Sequence, residues 1–338
     1  MRHPLVPLGA LAGAAALLAT GCSTAPSPAG GQPPAAASRA AAAPVVAPKS
    51  PAEVGANELG QVPVLMYHQL TEKPASVYDR TPADFRAELE RLAREDYVPV
   101  TARDFQTGRI DIPAGTHPVV LTFDDSTNSQ VRLGADGAPA PDTAVAILAE
   151  TAKKHPAFKP VATFFVNADA FSATGSAKAL TWLKDHGYEV ANHTGRHENL
   201  RSLDRAGAER AISAGQQAIE RAAPGTRVTS LALPFGAMPE PAGTAVRGTG
   251  YHYDGVYLVG ANPSVSPFAK GFTPGAIPRI RSAGPKDEDA EFGSSRWLDK
   301  LAAGHSRYVS DGDPATVAFP RAAQNELAPA FAQRARPY

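Results

Sequence analysis

The chain has 338 residues, 43% of them hydrophobic, and its 33 lysines and arginines balance 33 aspartates and glutamates to a formal net charge of zero. The two signs are interspersed and form no basic stripe, so no nucleic-acid or other polyanion partner is implied, and a neutral substrate such as a polysaccharide fits the balance. Cys22 is the single cysteine, which excludes an internal disulfide.

Met1-Arg2-His3, a mostly apolar run from Leu5 to Ala19, and Leu18-Ala19-Thr20-Gly21-Cys22 read as the n-region, h-region and processing site of an exported protein. The run is too short for a membrane span of about 20 residues. Cys22 follows a small residue at the end of the h-region and resembles a bacterial lipobox, although Ala19 stands where leucine is commoner. Lipidation at Cys22 and anchoring to the outer face of a bacterial cell membrane are expected; the alternative is ordinary cleavage and secretion. Residues 1–22 are thus read as a signal peptide and 23–57 as an Ala/Pro-rich linker, too poor in large apolar residues to offset the entropy of ordering. That leaves 58–323 for one α/β domain and 324–338 for a C-terminal tail that is either helical or disordered. A monomer is expected.

Along the domain, short apolar runs alternate with helical patterns, as in a parallel α/β sheet or barrel. The strands are expected at Val62 to Tyr67, Val119 to Phe123, Ala162 to Val166, Tyr188 to Ala191, Val228 to Leu233, Gly255 to Val259 and Ile277 to Arg281. Thr81-Pro82-Ala83-Asp84 opens a helix with a threonine N-cap and proline at the first helical position, placing Phe85, Leu89 and Leu92 on one face. Asp142 is the expected cap of a second helix, Leu180 and Leu183 mark a third that Gly187 ends, and a long one runs from about Asp204 to Ala222. Its inward face includes Ala208, Ile212, Gly215 and Ile219; Gly215 costs it roughly 1 kcal/mol relative to alanine. The loops 126–140 and 262–275 are expected to border a cleft.

Several strands end in residues capable of chemistry: His68, Asp124-Asp125, Asn192-His193 and Pro234-Phe235-Gly236. In a parallel barrel those ends share one rim. One carboxylate with the two imidazoles of His193-Thr194-Gly195-Arg196-His197 makes a three-ligand divalent-metal set with room for water, and the adjoining carboxylate is placed to deprotonate that water. Alone, an aspartate pair after a strand is most often a turn or cap, and a lone His-x-x-x-His seldom binds metal. Their joint occurrence at strand ends points to metal-assisted hydrolysis.

Thr122-Phe123-Asp124-Asp125, Asn192-His193-Thr194-Gly195-Arg196-His197 and Leu233-Pro234-Phe235-Gly236 resemble the three motifs of the NodB-homology polysaccharide deacetylases, carbohydrate esterase family 4. Val62-Pro63-Val64-Leu65-Met66-Tyr67-His68 and Ala162-Thr163-Phe164-Phe165-Val166 resemble segments of a subgroup with an N-terminal Tyr-His that acts on exported polysaccharides. The resemblance implies a distorted (β/α) barrel and a divalent metal, most often Zn2+, held by Asp125, His193 and His197. It implies Asp124 as base and a backbone N–H near Phe235, beside Pro234, as oxyanion donor.

The chain departs from the family pattern in three places. The usual Leu-x-x-His near the C-terminal end is poorly matched by Leu301 to His305, whereas Leu65-Met66-Tyr67-His68 does match it; His68 is therefore read as the general acid and His305 as the alternative. Ala232 stands where an arginine usually tethers the catalytic aspartate, and Arg279, on a late strand, is the expected replacement. Ser126 replaces the glycine that commonly follows the aspartate pair. The activity implied is removal of acetyl groups from an exported or cell-wall polysaccharide, with an N-acetylglucosamine-type amide as first choice. Alternatives are an acetyl-ester hydrolase acting on a xylan-like polymer and a non-catalytic carbohydrate-binding surface lipoprotein. An iron oxygenase with the same ligand types would need a cosubstrate site that the sequence does not supply.

Overall fold

The computed structural model describes residues 49–304 and 306–338. Residues 1–48, with Cys22 and most of the expected linker, and His305 lie outside the described residues. Among the described residues, no helix is long and apolar enough to cross a membrane.

A parallel sheet organises the domain. Its strands are β1 (Val64–Tyr67), β2 (Tyr97–Val100), β3 (His117–Phe123), β4 (Thr163–Val166), β5 (Glu189–Asn192), β6 (Ser230–Ala232), β7 (Gly255–Tyr257) and β8 (Ile280–Arg281). In space the path runs β7-β6-β5-β4-β3-β1-β8, with β2 pairing along the first half of β3. The sheet curls: Ile277 bridges Tyr257 of β7, and three residues later Ile280 pairs with Leu65 of β1. The stretch 277–281 thus touches both edges, as the distorted (β/α) barrel expected from sequence requires. The strand absent from that expectation is β2, where Pro99 removes an amide N–H.

Strand alternation decides which side chains enter the barrel. Leu65, Tyr67, Val119, Leu121, Phe123, Phe164, Val166, Val190, Leu231 and Val256 pack in the outer core beneath the helices. Val64, Val120, Phe165, Ala191, Ala232 and Tyr257 form the inner cluster. The inner parity, carried past the ends of β1, β3 and β5, reaches His68, Asp124 and His193.

The outer layer includes α1 (Pro82–Arg94), α2 (Ala144–Lys154), α3 (Ser176–Asp185) and α4 (Arg205–Ala222). Thr81 caps α1 by accepting from Asp84 N at 3.0 Å, and Phe85, Leu89 and Leu92 are buried as expected. Asp142 does not cap α2. Thr143 occupies that position without a side-chain bond, and Asp142 instead pairs with Arg132. Asp204 caps α4 through Gly207 N at 2.7 Å.

Gly215 shows why a helix keeps a residue that weakens it. A Cβ there would lie 2.1 Å from Asn192 Oδ1 and 2.7 Å from the Thr194 backbone. The α4 backbone therefore approaches the segment that holds His193. Gly215→Ala is expected to destabilise the fold by about 1–3 kcal/mol despite its better helix propensity, through overpacking. It should also weaken metal affinity, because the displaced segment brackets His193. Thermal unfolding and metal titration check this; an alanine variant equal to wild type in both would remove the argument.

Folded chain extends to either side of 58–323. Pro51–Val54 form a capped helical turn, Ala56 is fully buried, and Asn57 bridges Val309. At the other end Pro329–Arg334 form a 3-10 helix and Ala335–Pro337 pair in parallel with Val317–Phe319, so the expected tail is part helical and ends as a strand. The loop 262–275 is also placed differently from expectation. Its Ser264–Val265 pair antiparallel with Gln61–Val62, which precede β1, so this part lies at the N-terminal end of the sheet, away from the rim of strand ends.

Candidate active site

The polar rim is built around one buried ion pair. Arg279 is 0% exposed and Asp124 1% exposed, and the guanidinium donates Nη1 to Oδ1 at 2.7 Å and Nη2 to Oδ2 at 2.6 Å. Arg279 also donates Nε to Leu258 O at 2.8 Å and lies over the Phe165 ring at 5.5 Å. Burial alone would raise the Asp124 pKa; Arg279, then His193 and His68, outweigh it and hold the carboxyl well below the usual carboxylate range. Ala232, where the family usually has its arginine, is a small buried residue whose carbonyl faces His193 Nδ1 at 2.9 Å.

Asp125, His193 and His197 converge beside this pair. Asp125 Oδ1 lies 3.4 Å from both His193 Nε2 and His197 Nε2, and one donor atom from each residue falls within 4.8 Å of the others. Such separations suit ligands held about 2.0–2.2 Å from one tetrahedral ion. The contact to Ala232 O places the His193 proton on Nδ1 and leaves Nε2 with its lone pair. That Nε2 is buried and has no hydrogen-bond partner, as a cation ligand would be before loading. The donor set fits a divalent metal.

Unusual backbone angles aim these groups. Asp125 (φ 72°), Ser126 (φ 53°), Thr194 (φ 67°), His197 (φ 57°) and Phe235 (φ 59°) all lie in the left-handed region. Each costs on the order of 1–3 kcal/mol and persists only where neighbours over-determine it. Here Asn167 N donates to Ser126 Oγ at 2.9 Å, Asn167 Nδ2 to His193 O at 2.7 Å, and Thr194 N to Asn192 Oδ1 at 2.9 Å. Ser126 therefore adopts the conformation that glycine would favour and is pinned in it.

Two further groups flank the rim. His68 Nε2 is 3.9 Å from Asp124 Oδ2, its Nδ1 is buried without a hydrogen-bond partner, and its ring lies 4.9 Å from that of Tyr78. Burial lowers the His68 pKa, with Asp124 and Asp125 pulling the other way. On the far side Pro234 is buried, while Phe235 is 64% exposed with its ring edge-on to His197 at 4.5 Å.

Residues 111–253 match the family model for polysaccharide deacetylase. This segment resembles a polysaccharide deacetylase domain. The matched segment holds Asp124, Asp125, His193, His197 and Phe235; His68 and Arg279 lie outside it and join the candidate site only through the fold. Solved structures agree on the fold. A polysaccharide deacetylase from Bacillus cereus superposes with a TM-score of 0.51 at 22% identity, over 65% of this chain and 64% of that one. The Streptococcus pyogenes deacetylase PplD, in complex with acetate, gives 0.52 at 18% identity, over 65% and 92%. The match spans less than two thirds of the Bacillus protein's length. No curated protein sequence matches this chain.

Two residues that organise the candidate site are not expected from sequence. Gln130 Nε2 donates to both Asp124 O at 2.5 Å and His68 O at 2.9 Å, tying the ends of β3 and β1 together. Asn167, one residue past β4, ties the aspartate loop to the histidine loop. Each is a single polar residue in a loop, with no spacing or neighbouring motif to mark it; the only signal is that Asn167 directly follows a strand.

Proposed function

We propose that this protein is a metal-dependent hydrolase that removes acetyl groups from an exported or cell-wall polysaccharide, with an N-acetylglucosamine-type amide as substrate. One observation carries the reading: the Asp125–His193–His197 donor set adjoins a carboxylate, Asp124, that Arg279 grips at both oxygens and that lies 3.9 Å from both His193 and His68. Asp125, His193 and His197 would hold the cation, Zn2+ being the first choice for two imidazoles and a carboxylate. Bound there, it acidifies a water and polarises the acetyl carbonyl.

The remaining work falls to the chain itself. Asp124 accepts a proton as water oxygen bonds to the acetyl carbon, and the Arg279 grip keeps its orientation fixed. The electrons displaced onto the carbonyl oxygen meet the backbone N–H of Phe235. As the carbon–nitrogen bond breaks, its electrons go to nitrogen, which takes a proton from His68. An amine is a poor leaving group, so an acid at this place favours the amide over an acetyl ester. Export and a lipid anchor at Cys22 complete the proposal and rest on residues 1–22 of the sequence.

Acetate release from N-acetylglucosamine oligomers, peptidoglycan and acetylated xylan, with metal chelated and then restored, tests it. Release from the amide substrates, abolished by chelation and recovered with zinc, is expected; release from xylan alone would make the protein an ester hydrolase. His68→Ala is expected to lower the amide rate about 10²- to 10⁴-fold and the rate on an activated acetate ester far less. Equal losses on both would overturn the general-acid role.

A further inference from the structure

Among the described residues, only four large hydrophobic side chains are substantially exposed: Tyr78, Phe235, Phe292 and Tyr338. Two of these stand at the catalytic rim. One run of contacts joins them: Tyr78 to His68 at 4.9 Å, His68 to Asp124 at 3.9 Å, Asp124 to His193 at 3.9 Å, the rings of His193 and His197 at 5.0 Å, and His197 to Phe235 at 4.5 Å. Exposed aromatic rings therefore occupy both ends of the reacting centre, with the polar groups between them.

Tyr78 is held in place by more than chance packing. Its loop leaves the end of β1 and returns at a bridge between Leu70 and Arg80. Inside the loop Asp79 accepts from Ala75 N at 2.9 Å and Ser76 N at 3.0 Å, and Tyr78 N donates to Ser76 Oγ at 3.2 Å. From outside, Arg281 of β8 donates to Val77 O, and Arg80 pairs with Asp287. Hollows of about 410 Å³ and 640 Å³ lie against this loop and against the segment Met238 to Ala242 that follows Phe235.

We infer that Tyr78 is a substrate-binding residue that stacks on a pyranose ring of the chain being deacetylated, opposite Phe235, so that the site takes an internal unit of an oligosaccharide in preference to a monosaccharide. A pyranose presents an apolar C–H face on one side and hydroxyls at its edge, which suits an aromatic wall beside a polar rim. The inference rests on the deacetylase reading for its substrate class, and a binding measurement separates the two.

The test uses zinc-loaded protein, a pentamer of N-acetylglucosamine, the monosaccharide and an activated acetate ester. Wild type is expected to bind the pentamer more tightly than the monosaccharide. Tyr78→Ala should raise the pentamer dissociation constant and KM about five- to tenfold, as expected for one lost aromatic contact, and lower ester hydrolysis by a clearly smaller factor. Tyr78→Phe should restore both pentamer values, since it keeps the ring and loses only the hydroxyl. Unchanged pentamer binding in Tyr78→Ala, a Tyr78→Phe variant as weak as alanine, or equal losses on pentamer and ester would each overturn the stacking role, as would a wild type that does not bind the pentamer. A wild type that binds the pentamer in this ring-dependent way but releases no acetate would leave the stacking role standing and overturn the deacetylase reading.

Discussion

Replacing Asp124 by asparagine is expected to lower acetate release about 10²- to 10⁴-fold, the usual contribution of a positioned base, while leaving bound zinc near wild-type occupancy. The separation follows from geometry. Asp125 Oδ1 is the carboxylate oxygen within 3.4 Å of both imidazole Nε2 atoms, whereas both Asp124 oxygens are taken by Arg279 and the nearer approaches His193 Nε2 only to 3.9 Å. An amide at position 124 still offers one oxygen to Arg279, so the orientation survives and the proton acceptor does not. Single-turnover acetate release, paired with metal analysis of the same preparation, measures both quantities. A variant that keeps a near-wild-type rate sinks the base assignment, and one that loses its zinc would move Asp124 into the ligand set.

Much of this site was legible because strand alternation and strand ends are written in sequence. Val64, Met66 and His68, like Val120, Thr122 and Asp124, follow one parity, so an apolar run that ends in an ionisable residue announces both a barrel strand and a rim group. Arg279 was legible for a different reason: a missing cation at Ala232 calls for another, and a late strand in a curled sheet returns beside the first. The loops were less legible. Gln130 and Asn167 act through backbone carbonyls and amides that only the folded chain brings near them. The boundaries slipped where composition misleads. Residues 49–57 continue the Ala/Pro character of the linker, yet Ala56 is small enough to be fully buried and Ser50 with Glu53 caps a helical turn. Asp142 lost its capping role to a nearby cation, Arg132, a competition invisible to a local helix-start pattern.

Arg279→Met carries the largest expected effect on stability. It leaves the Asp124 carboxylate fully buried without its cation, and breaking a buried pair from one side typically costs about 3–5 kcal/mol. The pH dependence should reverse. In wild type the Asp124 pKa is depressed, so the pair's stabilisation is present above the unfolded value of about 3.9 and is lost as pH falls toward the folded pKa. In Arg279→Met the burial that opposes the ionised form loses its largest counterweight, with only His193 and His68 left against it, and the pKa rises. The destabilisation is then greatest near neutral pH and shrinks on acidification as the carboxyl becomes neutral. Denaturant unfolding at pH 5 and pH 8 reads the variant's slope against a wild-type pair whose contribution is constant over that range, and an Arg279→Met protein that loses stability equally at the two pH values would contradict the argument. The double variant Asp124→Asn with Arg279→Met removes both charges, so it should recover most of the lost stability at pH 8. It should recover none of the activity, because in the proposed mechanism the pair's chemical use is the carboxylate itself: Arg279 would keep the base ionised and aimed inside the barrel, and stability returned by removing both charges removes that base with them.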